Sequence, residues 1–218
     1  MIDLYTSSTP NGRKISIALE EMGLAYDVHW VSLDKNEQFR PEFLAISPGN
    51  KIPAIVDRDN DLSIFESGAI LMYLGDKTGM FYPTSLVART RVHEWLIFQV
   101  STVGPYLGRA HYFLRYHPGK APFAEEWYQA EAHRIYGILD RRLDGREFLC
   151  DDYSIADIAT FPWTARYARH NINLNDYPNV RRWYMAIAAR PAVQNGFRVP
   201  DPRAPIPLPD EPRSAAGG

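Results

Sequence analysis

Apolar positions follow short, strand-like runs over the first third of the chain and helical spacing over the rest. Residues 1–5 form a short apolar-rich run closed by Thr6-Ser7-Ser8-Thr9, which predicts a first strand. Thr9 suits an N-cap and Pro10 the first helical position, where a missing N–H costs nothing. Ile15, Ala18, Leu19 and Met22 then keep helical spacing, and Gly23 fits just past the helix end. Residues 26–33 alternate loosely and predict a second strand, so strand, helix and strand imply a right-handed parallel crossover. Residues 38–46 predict a short irregular helix interrupted at Pro41. Residues 54–56 and 62–65 predict two strands joined by the polar hairpin Asp57-Arg58-Asp59-Asn60-Asp61. A helix over 67–76 follows. Its stretch 69–74 is apolar on every face and needs cover on two sides, one from the sheet and one from a second domain or subunit.

That order, βαβ then ββα, is the thioredoxin-like arrangement. Past Gly79 the strand signal ends. Residues 86–115 predict one long helix, bent near Gly104-Pro105, with Val92, Trp95, Leu96 and Gln99 inward. Residues 123–143 predict another, with Ile135, Ile138, Leu139 and Leu143 inward. Ser154-Ile155-Ala156-Asp157 is a capping box that opens a helix running to about residue 169. Residues 179–189 supply the last clear helix. The expected fold is an α/β N-terminal thioredoxin-like domain (1–78), a linker (79–85) and an all-α C-terminal helical domain (86–199). The tail, 200–218, carries six prolines and is expected to be extended or disordered and passive.

Composition narrows the function. The 218 residues carry a net charge of −2, so no overall field favours nucleic acid or an anionic membrane. The single cysteine, Cys150, excludes an intramolecular disulfide framework and reads as a buried structural thiol in a reducing compartment. No signal-type segment or membrane-length apolar run is present, so a soluble, cytoplasmic protein is expected. The six histidines are scattered without ligand spacing, so no metal site is expected.

Three segments carry candidate chemistry. A cis Ile52-Pro53 bond, accessible at about 0.5–1 kcal/mol, would aim the Ile52 N–H and C=O outward to pair with an extended peptide. Glu66-Ser67 opens a helix: Ser67 can cap it, and the hydroxyl with the free N–H groups forms a carboxylate site, while Glu66 accepts from an ammonium group. Together these suit an amino-acid head group. Lys51 and Gln38 are candidates for a carboxylate at the ligand's other end. Thr9 and Asn11 sit at the first helix N-terminus, where dipole and free N–H groups favour an anion. Each feature alone has an ordinary structural reading as a bend, a cap or a solvated surface.

Jointly, Thr9-Pro10-Asn11-Gly12, Asn50-Lys51-Ile52-Pro53-Ala54-Ile55, Phe65-Glu66-Ser67-Gly68 and the Ser-Ile-Ala-Asp box resemble the glutathione S-transferase superfamily over about residues 1–197. The Thr-Pro-Asn turn and Gln38-Phe39-Arg40-Pro41-Glu42-Phe43 resemble its Nu-class, Ure2-like branch. The resemblance implies a homodimer that binds glutathione through Asn11, Gln38, Lys51, Ile52, Pro53, Glu66 and Ser67. It implies reduction of disulfides: a bound thiolate attacks the substrate and a second glutathione resolves the mixed disulfide. Thr9 and Asn11 would be the catalytic donors. Being mostly thiolate at neutral pH needs a drop of roughly two units from about 8.5, or about 2.7 kcal/mol. One or two hydrogen bonds to a charged sulfur supply that. The alternative enzyme reading is conjugation of electrophiles or reduction of organic peroxides, in a pocket lined by Tyr106, Ala110, Phe113 and Trp163. A reading of another class is a non-catalytic interaction module. Some relatives place an arginine in the second long helix that reaches the partner's glutathione; this chain carries Trp127 there.

Overall fold

The computed structural model describes residues 1–210. Strands β1 (Ile2–Thr6), β2 (Tyr26–Trp30), β3 (Ala54–Asp57) and β4 (Leu62–Phe65) form one mixed sheet in the order β2-β1-β3-β4. β1 and β2 run parallel and are joined by α1 (Pro10–Glu21), while β3 is antiparallel to both β1 and β4. The short helix α2 (Pro41–Ile46) precedes β3, and α3 (Ser67–Thr78) follows β4. A proline expected to interrupt α2 instead opens it: Pro41 takes the first helical position after a 3₁₀ turn over Glu37–Phe39.

The remainder is helical: α4 (Leu86–Phe98), α5 (Gly104–His111), α6 (Pro122–Arg142), α7 (Ile155–Thr164), α8 (Pro178–Ala188) and α9 (Pro191–Phe197). α4 and α5 belong to one continuous helical run that contains π turns at Gln99–Val103 and Tyr112–Tyr116. The irregularity expected at Gly104-Pro105 therefore lies just before it, because Pro105 cannot donate and the ladder loosens in the preceding turn. α7 stops at Thr164 rather than near residue 169. Pro162 removes a rung in its last turn, and the chain leaves the helix two residues later. No described helix is long and apolar enough to cross a membrane.

The capping box forms as expected. Asp157 is fully buried, and its carboxylate accepts from Ser154 N (3.1 Å), Leu149 N (2.9 Å) and Trp183 Nε1 (2.8 Å). This fixes the start of α7, which packs directly on α1. α9, which the apolar spacing did not predict, clasps the other side of α1. Ser16 Oγ donates to Gly196 O (2.7 Å), and Arg190 makes two hydrogen bonds to Glu21 (2.6 and 2.8 Å). The tail was expected to be extended or disordered. Residues 200–210 have no helix or strand, yet Tyr184 Oη donates to Pro207 O (2.6 Å) and Ile206 packs against the core. The rest of the tail, 211–218, lies outside the described residues.

Helix α9 approaches α1 so closely that a Cβ on Gly196 would lie 2.5 Å from Ile17 Cα. We expect Gly196→Ala to lower the unfolding free energy by about 1–3 kcal/mol, the usual cost of overpacking, as read from the urea midpoint. An unchanged midpoint would mean that α9 does not press on α1.

Candidate functional site

The site begins where β1 ends and α1 begins. Thr9 caps α1: its Oγ1 accepts from Gly12 N (3.1 Å), which leaves its own O–H free to donate. Gly12 permits this tight junction, because a Cβ there would fall 2.3 Å from Thr6 Oγ1 and 2.5 Å from Ser7 O. Pro10 has no N–H and Arg13 N bonds Thr9 O (3.0 Å), so the Asn11 N–H is left unbonded among the described residues. The free donors of this turn and the positive end of α1 face one place.

Opposite lies the loop before β3. The Ile52–Pro53 bond is cis. Neither the N–H nor the C=O of Ile52 has a partner among the described residues. The loop is held by Ser47 Oγ donating to Lys51 O (2.8 Å), and the Ile52 side chain is packed with Val31, Phe43 and Ala54. Lys51 itself is exposed, and Gln38 Oε1 is buried without a partner. The start of α3 forms the third wall. The expected serine cap does not form: Glu66 is the N-cap, and Ser67 is the first helical residue. Glu66 sits at φ 69°, a region that costs a non-glycine residue about 1–3 kcal/mol. That conformation is held where an exposed carboxylate meets a helix N-terminus.

The helical half supplies two further ties. Trp163 Nε1 donates to Asn11 Oδ1 (2.9 Å), which occupies the amide oxygen and leaves the amide nitrogen to donate elsewhere. Lys14 is 2 % exposed, and its Nζ donates to Ser67 Oγ (3.1 Å) and Gln99 Oε1 (2.6 Å). Burial pulls its pKa down to about 7, with the Glu66 charge acting in the opposite direction. Since Ser67 Oγ accepts from Lys14, its own hydrogen is free to donate to a ligand.

Two adjoining cavities result, sharing Asn11, Lys51 and Ile52. The smaller, about 150 Å³, is also lined by Pro53, Glu66 and Ser67; the larger, about 400 Å³, by Thr9, Gln38 and Trp163. All the residues expected to bind the peptide-like ligand therefore converge. The expected substrate wall does not. Only Trp163 of that set lines the cavity, since Ala110 is buried in the core and Tyr106 and Phe113 pack on Tyr128. The long helix contributes His111 and Tyr116 instead, stacked with centroids 4.8 Å apart. They are five residues apart, a spacing that shares a face only across a π turn, so a search at helical spacing passes over them. Cys150 is buried, and burial pushes its thiol up to about 11, far from nucleophilic use.

Comparison with known proteins follows this geometry. Residues 9–77 match the family model of the glutathione S-transferase N-terminal domain, and residues 110–191 that of the C-terminal domain. The chain is 48% identical over 199 residues to the disulfide-bond oxidoreductase YfcG of Escherichia coli, covering 88% of this chain and 93% of that protein. It is 34% identical to the E. coli disulfide-bond oxidoreductase YghU, over 94% of this chain and 77% of that one. Among solved structures, a glutathione transferase from Pseudomonas putida with one glutathione disulfide bound per subunit superposes with TM-score 0.86 at 41% identity, covering 91% of each chain. One from Burkholderia graminis with two glutathione molecules per subunit gives TM-score 0.86 at 44% identity, covering 93% of this chain and 89% of that one.

Lys14 makes the site's stability depend on pH. Its folded pKa, about 7, lies below the ordinary 10.5, so between these values the unfolded chain holds one more proton. The contribution of Lys14 to stability therefore rises with pH across that window and is lost as pH falls towards 7. We expect the unfolding free energy of the wild type, relative to Lys14→Met, to climb by up to about 1.4 kcal/mol per pH unit between about pH 7.5 and 9.5. A difference that stays flat in paired urea titrations would mean that Lys14 is charged in the native state throughout.

Proposed function

Because this chain belongs to the glutathione S-transferase family, we propose that it is a glutathione-dependent disulfide-bond oxidoreductase. Asn11 carries this reading. With its oxygen held by Trp163 at 2.9 Å, its amide nitrogen is left as a fixed donor at the positive end of α1, where a thiolate would be stabilised. His111, the histidine lining the larger cavity, accepts at Nε2 from Arg169 Nη1 (3.2 Å), and burial with the neighbouring arginines lowers its pKa to about 4. Activation therefore runs through donors, Thr9 and Asn11, that stabilise the thiolate.

Glutathione fits the groups around the smaller cavity. Its γ-glutamyl carboxylate suits the Ser67 hydroxyl and the free N–H groups of α3, and its ammonium suits Glu66. Its central residue suits the unpaired N–H and C=O of Ile52, as an added strand would. Its glycine carboxylate suits Lys51 and the Gln38 amide. When bound, glutathione supplies the sulfur nucleophile. Over the whole cycle two molecules are oxidised to glutathione disulfide, while one substrate disulfide takes up two electrons and two protons to give two thiols. The disulfide-bond oxidoreductases YfcG and YghU, and relatives with glutathione disulfide or two glutathiones bound, support this stoichiometry.

Residues 1–78 act in this scheme as the glutathione-binding domain, 79–85 as a linker and 86–199 as the helical domain. A homodimer in a reducing, cytoplasmic setting fits the apolar side chains that remain exposed, including Phe65 (42 %), Ile97 (53 %) and Trp127 (54 %). Conjugation or peroxide reduction is the second reading, favoured by the aromatic wall that Tyr116 and Trp163 give the larger cavity.

Turnover of hydroxyethyl disulfide with glutathione, run beside chlorodinitrobenzene conjugation, separates the readings. We expect fast disulfide reduction and weak conjugation; the reverse would make it a conjugating transferase, and silence in both a binding module. Asn11→Ala is expected to cut kcat by about 10²-fold with little change in the KM for glutathione, whereas Glu66→Ala should raise that KM about tenfold. Equal effects of both on KM alone would sink this division of roles. Trp163→Phe, which frees the Asn11 amide to turn, should lower kcat about tenfold and leave KM in place.

A further inference from the structure

Beyond the glutathione groups, the larger cavity meets a second one of about 520 Å³, and both are lined by Ser8, Tyr116 and Arg166. The second cavity adds Arg13 and Arg169 and is closed on one side by the chain after α9. Two of the three guanidinium groups are committed. Arg13 Nε donates to Phe197 O (3.0 Å) with its Cζ 4.0 Å from the centroid of the Phe197 ring, and Arg169 Nη1 meets His111 Nε2 (3.2 Å). Arg166 is not. Its guanidinium has no hydrogen bond or ion pair among the described residues, and its Nε is buried without a partner. The one carboxylate lining these walls, Asp201, is held by Arg203 N (3.1 Å) and Nε (3.2 Å). Burial and Arg169 both lower the pKa of Arg166; burial and Arg166 lower that of Arg13, with the Asp201 charge acting in the opposite direction. Arg166, pressed by a like charge and bonded to no carboxylate among the described residues, makes this junction favourable to an anion.

We propose that Arg166 forms an anion subsite at the junction of the two cavities and selects low-molecular-weight disulfides that carry a carboxylate. A planar guanidinium with free donors matches a carboxylate with two hydrogen bonds. The larger cavity places that group in the same space as Asn11, so a short substrate presents its sulfur to the thiolate while its carboxylate reaches Arg166. The positive field of Arg13 and Arg169 adds attraction at a distance and disfavours cationic substrates. The redox step is that of the proposed reaction, on which the selectivity rests; the binding step stands apart from it.

The test compares kcat/KM, at low salt and pH 7.5, for dithiodipropionate (anionic), hydroxyethyl disulfide (neutral) and cystamine (cationic), each with glutathione. The wild type is expected to prefer dithiodipropionate to cystamine by about tenfold or more. Arg166→Gln should bring that ratio close to one, and Arg166→Lys should keep part of it, as a charge without the fork would. No preference in the wild type, or a ratio that survives Arg166→Gln, overturns the proposal. Should no disulfide be turned over, the reductase reading fails by itself. Calorimetric titration of dithiodipropionate into the full-length chain then decides the subsite. Binding weakened about tenfold by Arg166→Gln supports it; no binding, or binding indifferent to the variant, overturns it.

Discussion

One buried lysine amine holds the floor of this site. Lys14 projects from α1 into the seam between the α/β half and the helical half, where it donates to Ser67 of the first and Gln99 of the second. A polar group in such a place is tolerated only if its hydrogen bonds are met. Here both acceptors are neutral oxygens, from the two halves of the molecule. The halves therefore cannot part without stripping Lys14 of a partner. Ser67 and the start of α3 are fixed in place by the same tie.

A second tie works at the opposite wall. Asn11 has two faces, and Trp163 of the helical half takes the accepting one. A flexible amide thereby becomes a donor of fixed sense, at the end of a helix whose dipole has the same sign. Donors, helix ends and cations converge here although the whole chain carries a net charge of −2. Apart from Glu66 in the smaller cavity, acidic groups such as Asp57 with Lys77 (2.7 Å) and Glu21 with Arg190 (2.6 Å) are paired elsewhere. Segregation of charge, rather than its sum, makes the cleft receptive to anions.

The parts of this arrangement that local chemistry dictates were legible in the sequence. Thr9-Pro10 and Ser154 through Asp157 announce helix starts because a cap is settled within a few residues. The turn before β3 was readable on the same local ground, whereas at α3 the helix start was legible but its cap, Glu66 rather than Ser67, was not. Lys14 was not: within α1 its spacing marks nothing, and its partners come from 53 and 85 residues away. The bond between Trp163 and Asn11 spans 152 residues and is equally silent in the sequence. α9 was missed because a seven-residue helix holds too few apolar positions to show a period. The order in residues 200–210 escaped notice because proline content describes the free chain and not the surface it lies on.

The two π turns of the long helix bear on how such a site is inherited. Each holds one residue more than an α-helical turn, so the positions after it follow a different angular frame from those before it. His111 and Tyr116 face one cavity only because the second turn is there. Losing a single residue from that turn would swing everything beyond it by about 100° around the helix axis, with every side chain unchanged in identity. The number of residues in this stretch thus sets the lining alongside their kind. A one-residue deletion here would be a change of lining and not a neutral slip.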